Sequence, residues 1–96
     1  MAQVRTMFWK DIPYAVRATE GQERASRQLP AAFQEAVDEA AMVEGATDAA
    51  DYQAGFSWGT PQERPGTVDA VADAVVAEIV AAYPVARLKE LTRRGK

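Results

Sequence analysis

The sequence holds one compact run of residues able to do chemistry: Trp9, Lys10 and Asp11, directly before Ile12 and Pro13. A lysine beside an aromatic ring and a carboxylate could bind an anion, or act as a base with a lowered pKa if it were buried. In an extended strand, alternation places Trp9 and Asp11 on one side and Lys10 on the other. Alternatively, Trp9 anchors a core and Lys10 lies on the surface. The sequence leaves both interpretations open.

Three arginines follow in the next part of the chain, at Arg17, Arg24 and Arg27. Guanidinium groups bind carboxylate and phosphate groups through paired hydrogen bonds, so pairing of the strands that carry these residues would form an anion-binding patch. Glu20 and Glu23 lie between the arginines, and they could instead neutralise the patch. The chemistry predicted for this region is therefore binding of an anionic group, with a neutralised surface as the alternative.

Trp58, which is followed by Gly59, is either a core residue or an exposed interaction anchor, because tryptophan is enriched at binding hot spots. The candidate binding residues predicted from the sequence are Trp9, Lys10, Asp11, Arg17, Arg24 and Trp58. Glu35, Asp38 and Glu39 lie opposite the apolar side of a predicted helix, and solvation there does not favour acid–base chemistry. No catalytic residue is predicted.

The chain contains no cysteine and no histidine. It therefore lacks thiolate and imidazole metal ligands, a cysteine nucleophile and a histidine base. Metals bound by oxygen ligands prefer a dense acidic loop, which the sequence does not contain. The glycines follow neither the dinucleotide-binding nor the P-loop pattern. We expect no metal, no cofactor and no enzymatic activity.

Hydrophobic periodicity predicts a single α+β domain over residues 1–96, with a small antiparallel sheet of two to four strands and two amphipathic helices packed on one face. The predicted strands are 4–9, 14–19, 24–29 and 56–58. Large apolar groups on both sides of the first strand indicate that its end is covered on both sides. Thr6 alternates with Val4 and Phe8 there.

Two apolar stripes at helical spacing predict the helices. The first helix follows Pro30 and ends at Gly45, and the second follows Thr67. Pro84 either kinks or ends the second helix. Residues 46–66 are ambiguous: 48–54 could form a helical turn, and 59–66 is predicted to be a loop because it is rich in glycine and proline.

The net charge of −3 is unevenly distributed. Residues 1–30 hold five basic and three acidic groups, residues 31–80 one and ten, and residues 81–96 five and one. An acidic middle would repel phosphate backbones, so we expect no nucleic-acid partner. A small core favours a protein partner or a homo-oligomer. No apolar run is long enough for a signal peptide or a membrane span, which predicts a cytoplasmic protein without a membrane partner.

Two stretches resemble the small bacterial virulence factor domain family: Phe8–Pro13, which reads Phe-Trp-Lys-Asp-Ile-Pro, and the helical segment Leu29–Met42. The resemblance covers roughly residues 4–58 and, more loosely, the last predicted helix. Two departures from the family pattern are Gln22 and Glu23, where more basic residues are expected, and Gly55, which interrupts a segment expected to be continuous.

The resemblance implies an accessory role, because relatives carry this domain beside an iron–sulfur-scaffold-like module and HEAT-like repeats. Relatives near genes of folate- or corrinoid-dependent methyl transfer imply a small subunit that assists one-carbon metabolism. The family name gives no activity, and no catalytic residue transfers from it. The leading hypothesis is therefore a non-enzymatic accessory or protein-binding domain. The alternative is a domain that binds a small anionic ligand through a patch of tryptophan, lysine and arginine.

Overall fold

The computed structural model describes residues 1–45 and 48–93, so the end of the basic C-terminal segment, 94–96, lies outside the described residues. Within these ranges the chain forms five strands and four helices. In chain order they are β1 (Ala2–Trp9), β2 (Ile12–Glu20), β3 (Glu23–Gln28), α1 (Ala31–Glu44), α2 (Ala49–Ala54), β4 (Phe56–Trp58), β5 (Gln62–Arg64), α3 (Val68–Ala82) and α4 (Val85–Arg93). The predicted α+β class and antiparallel sheet are confirmed, with one more strand and two more helices than expected.

The strands form one antiparallel sheet in the order β3-β2-β1-β4, and β5 also pairs with β1. β4 pairs with residues 7–9 of β1 and β5 pairs with residues 2–4. Together they follow a single edge of β1, interrupted between Trp58 and Gln62. The prediction of a loop over 59–66 is wrong for Gln62–Arg64, whose polar residues between two prolines carry no alternating pattern.

The β1–β2 hairpin contains a bulge at Tyr14. Phe8 pairs with Pro13 and Met7 pairs with Ala15, which leaves Tyr14 as an extra residue on β2. A bulge of this kind turns a side chain away from the regular alternation. The Tyr14 ring accordingly packs edge-on against Phe56, with 5.0 Å between ring centroids.

The helix ends follow the capping residues predicted from the sequence. The first helix begins after Pro30 and ends at Gly45, whose φ of 77° is the left-handed conformation that glycine adopts without strain. The Thr67 side chain accepts a hydrogen bond from the Ala70 amide at 3.2 Å and caps α3. Pro84 separates α3 from α4, so it ends the helix rather than kinking it.

One side of the sheet is covered by α3, which packs on β2 and β3. The buried core residues of these elements include Val16, Ala18, Val71 and Val75. Arg27, on β3, donates to Asp69 at 2.8 Å and to Asp73 at 2.9 Å, both on α3. These ion pairs fix the sheet edge to the helix.

Candidate functional site

The other side of the sheet carries exposed arginines on its central strands. Arg5 of β1 lies directly opposite Arg17 of β2, and Arg17 in turn pairs with Ser26 of β3. The next positions on the same side are Gln3, Thr19 and Arg24, which are also cross-strand partners. Residues directly opposite in an antiparallel pair point to the same face. We call the surface formed by Arg5, Arg17, Arg24 and Trp58 the arginine face.

The arginines of this face form no ion pairs within the described part of the chain. No carboxylate among the described residues forms an ion pair with Arg5, Arg17 or Arg24. Like charges directly opposite each other on a sheet are destabilising, by about 0.2–1 kcal/mol at low salt. Because Arg5 and Arg17 occupy such a pair, this position costs stability unless an anion binds there.

Trp58 belongs to this surface and is 38% exposed. It pairs with Met7 of β1, and the Arg17 guanidinium carbon lies 4.9 Å from the centroid of its ring. A cation held over an indole ring gains roughly 0.5–1 kcal/mol at an exposed site. Gln3, Arg5, Arg17, Thr19 and Trp58 line a shallow cavity of about 240 Å³. Trp58 is therefore not a buried core residue, and its role as an interaction anchor stays a prediction.

Two of the nearby acidic residues, Glu20 and Glu23, are directed away from the arginine face. Glu20 accepts from the amino terminus at 3.1 Å, and alternation along β2 places it on the α3 side with Ala18. Glu23 is the cross-strand partner of Glu20. Glu63 of β5 lies opposite Gln3, and it is the acidic residue that the register brings nearest to the cavity. It does not line the cavity. The predicted neutralisation by Glu20 and Glu23 is therefore not observed.

Trp9 is a core residue with 1% of its surface exposed. Alternation along β1 places it on the same side as Arg5, but there Tyr52 of α2 packs against it, with 6.1 Å between the ring centroids. Its indole N–H donates to the Tyr52 carbonyl oxygen at 2.7 Å, and a Cβ at Gly55 would lie 2.5 Å from the indole nitrogen. Gly55, a departure from the family pattern, thus makes room for this ring. Trp9 cannot contribute a solvent-facing ring to an anion site.

Lys10 and Asp11 form the turn between β1 and β2, where Lys10 has a left-handed φ of 54°. Lys10 is five residues beyond Arg5, about 16 Å along an extended strand, so it does not join the arginine face. It lines a second groove of about 490 Å³, which Asp11, Tyr83 and Arg87 also line. The Arg87 guanidinium lies 4.3 Å from the Tyr83 ring centroid and donates to the Ala82 carbonyl at 2.8 Å.

The structure therefore divides the predicted site residues into two groups. Arg17, Arg24 and Trp58 share one surface. Lys10 and Asp11 lie at a turn, where the Lys10 Nζ is 5.4 Å from the centroid of the buried Trp9 ring. Arg27 lies on the opposite side of the sheet from Arg17 and Arg24, where it binds Asp69 and Asp73, and these two hydrogen bonds raise its pKa. The sequence analysis did not choose Arg5 as a site residue, although strand alternation places it on the same face of β1 as Met7.

Perturbed ionisable groups among the described residues serve packing between elements. Burial, followed by a hydrogen bond that the Tyr52 hydroxyl donates to Asp38 at 3.0 Å, raises the pKa of Tyr52 to about 12. This contact joins α2 to α1. Arg64 forms a two-pronged ion pair with Glu78 of α3, with one contact at 2.7 Å, and its hydrogen bonding lowers the pKa of Glu78.

Metal ligation and membrane insertion find no support in the described part of the chain. It contains no group of three or more acidic side chains placed to hold a metal ion. None of its helices is both long and apolar enough to cross a bilayer. What the arginine face can do chemically is donate hydrogen bonds and positive charge to an anion.

The model of the Virulence factor family matches residues 7–92. The match spans most of the chain, and the chain belongs to this family, as the resemblance predicted. Searches of curated proteins and of solved structures each returned no match.

Proposed function

We propose that this chain is a non-enzymatic accessory domain that binds an anionic ligand through its arginine face. The observation that carries the proposal is the Arg5–Arg17 pair, which lies directly opposite on an exposed sheet face without a carboxylate partner among the described residues. A bound anion would convert the repulsion between these guanidinium groups into attraction.

A lack of internal catalytic groups supports the non-enzymatic part of the proposal. The chain has neither cysteine nor histidine. Tyr52, whose pKa is raised to about 12, belongs to α2, donates a hydrogen bond to Asp38 and does not line the cavity. The groups at the cavity are a guanidinium pair, an amide, a hydroxyl and an indole, and these groups suit the binding of an anionic ligand.

Docking of a partner protein is the second candidate function. It is supported by Arg24, which lies on the same face but outside the cavity, together with the exposed Trp58. Arginine and tryptophan are enriched at interface hot spots. In that case an acidic segment of the partner would extend from the cavity across β2 to Arg24.

The test compares unfolding of the purified chain in citrate, in inorganic phosphate and in sodium chloride of equal ionic strength. A ligand at a hundred times its Kd adds about 2.7 kcal/mol to the unfolding free energy. We expect either polyvalent anion to stabilise the wild type more than chloride does, and Arg5→Gln and Arg17→Gln to reduce this difference to the general stabilisation that such anions give any folded protein. Lys89→Gln is the matched control, because Lys89 is exposed on α4. Equal stabilisation of all four proteins would contradict the proposal.

A further inference from the structure

The cavity of the arginine face presents its polar groups as two adjacent cross-strand pairs. Arg5 lies opposite Arg17, and Gln3, two residues before Arg5, lies opposite Thr19, two residues after Arg17. Two residues of strand correspond to about 6.6 Å, so both pairs border one small region. The four side chains offer two charged forks, an amide and a hydroxyl as hydrogen-bond donors.

The charge of this donor set matches a dianion. Each guanidinium carries one positive charge and can donate two parallel hydrogen bonds to one anionic group. A phosphate monoester carries about −1.5 to −2 charges at pH 7 and three acceptor oxygens, whereas a carboxylate carries one charge and two oxygens. A single carboxylate would leave one of the two arginines uncompensated.

The cavity also has an aromatic wall. Trp58 contributes to its lining, and Arg17 already lies over the indole with 38% of the tryptophan still exposed. A flat ring joined to the phosphate could contact the part of the indole that Arg17 leaves uncovered, and aromatic pairs contribute beyond the area they bury. Glu63, opposite Gln3, lies outside the lining and would disfavour a second negative group on that side.

From this arrangement we propose that the cavity is a binding site for a phosphate monoester carried on a planar ring. The inference rests on the proposed function and names the ligand class of the same site. Arg5 and Arg17 hold the phosphate oxygens, Gln3 and Thr19 donate further hydrogen bonds, and Trp58 contacts the ring.

The experiment measures the affinity of three probes by calorimetric titration at low salt: phenyl phosphate, benzoate and inorganic phosphate. Phenyl phosphate is expected to bind at least tenfold more tightly than benzoate, which has the same ring and one charge. Arg5→Gln and Arg17→Gln should each weaken the affinity for phenyl phosphate by about tenfold or more, because a hydrogen bond to a charged group is lost. Lys89→Gln should bind as the wild type does.

Trp58→Leu distinguishes the contribution of the ligand's ring from that of its phosphate group. It is expected to weaken the binding of phenyl phosphate several-fold more than the binding of inorganic phosphate, because loss of the Arg17–indole contact affects both ligands whereas loss of the ring contact affects only phenyl phosphate. Circular dichroism of each variant verifies that it folds. If benzoate binds as tightly as phenyl phosphate and still depends on Arg17, the phosphate inference is overturned while the anion site stands. If no probe binds, both the inference and the proposed function are overturned.

Discussion

Gly55→Ala should destabilise the protein through the ring of Trp9. The added Cβ would lie 2.5 Å from the indole nitrogen and 2.6 Å from Cε2, well inside contact distance. Trp9 is 1% exposed, and its N–H donates to the Tyr52 carbonyl, so the ring cannot move without losing packing and a hydrogen bond. The backbone at Gly55 is right-handed helical, with φ −76° and ψ −17°, and alanine adopts this conformation without strain.

The expected loss of unfolding free energy in Gly55→Ala follows from three contributions. Overpacking a core costs about 1–3 kcal/mol, and a lost buried hydrogen bond costs roughly another 1 kcal/mol. Replacing glycine by alanine at a compatible backbone position returns about 0.4–1 kcal/mol through the unfolded chain. The expected net loss is about 2 kcal/mol. At roughly 4–8 °C per kcal/mol for a domain of this size, the melting temperature should fall by about 8–16 °C.

The assay is urea unfolding of a double-mutant cycle with Trp9→Phe. Phenylalanine is smaller than the indole and has no N–H, so Gly55→Ala should cost at least 1 kcal/mol less in the Trp9→Phe background. Gly45→Ala is the control, because its φ of 77° brings strain but nothing lies within 4 Å of its added Cβ. The cost of Gly45→Ala should be the same in both backgrounds. Additive effects of Gly55→Ala and Trp9→Phe would refute the reasoning.

Three further predictions concern a cap, a titration and the arginine pair. Thr67→Ala should cost about 0.5–2 kcal/mol in urea unfolding by removing the cap bond to the Ala70 amide, and Thr67→Ser should not. Because the folded pKa of Tyr52 is raised to about 12, its contribution to stability is complete below pH 10 and is lost as the pH rises from 10 to 12. Tyr52→Phe should therefore be less stable than the wild type at pH 8 and lose less stability by pH 11.5; parallel pH profiles would contradict this. Arg5→Thr should raise the unfolding free energy by about 0.2–1 kcal/mol at low salt, by removing repulsion with Arg17, yet reduce the stabilisation by citrate to its general salt effect. A loss of stability would show that Arg5 is instead a structural residue.

Hydrophobic periodicity correctly predicted the helices that bury an apolar stripe. The stripe that begins at Phe33 and includes Val37 is buried in α1, and the helix after Thr67 buries Val71 and Val75. These predictions succeeded because a helix packed on one side must place its apolar residues three and four positions apart. β5 was missed because its three residues are polar and owe their strand conformation to pairing with β1 rather than to their own pattern.

The candidate site was harder to predict because it depends on register. The sequence grouped Arg17, Arg24 and Arg27 into one patch, whereas the register places Arg17 and Arg24 on one face and Arg27 on the other. Only the β1–β2 pairing reveals that Arg5 lies opposite Arg17. The extra residue at Tyr14 sets part of that register, and a bulge has no simple sequence signal here. The burial of Trp9 likewise depends on α2, whose Tyr52 lies 43 residues away in the sequence.

The most direct test of the central claim is an amide chemical-shift titration of the isotope-labelled protein with inorganic phosphate at low salt. The account predicts saturable shifts concentrated at Gln3, Arg5, Arg17 and Thr19, together with the Trp58 indole signal. Shifts concentrated instead at the turn and α4 groove lined by Lys10, or small shifts spread over the whole chain, would contradict an anion site on the arginine face.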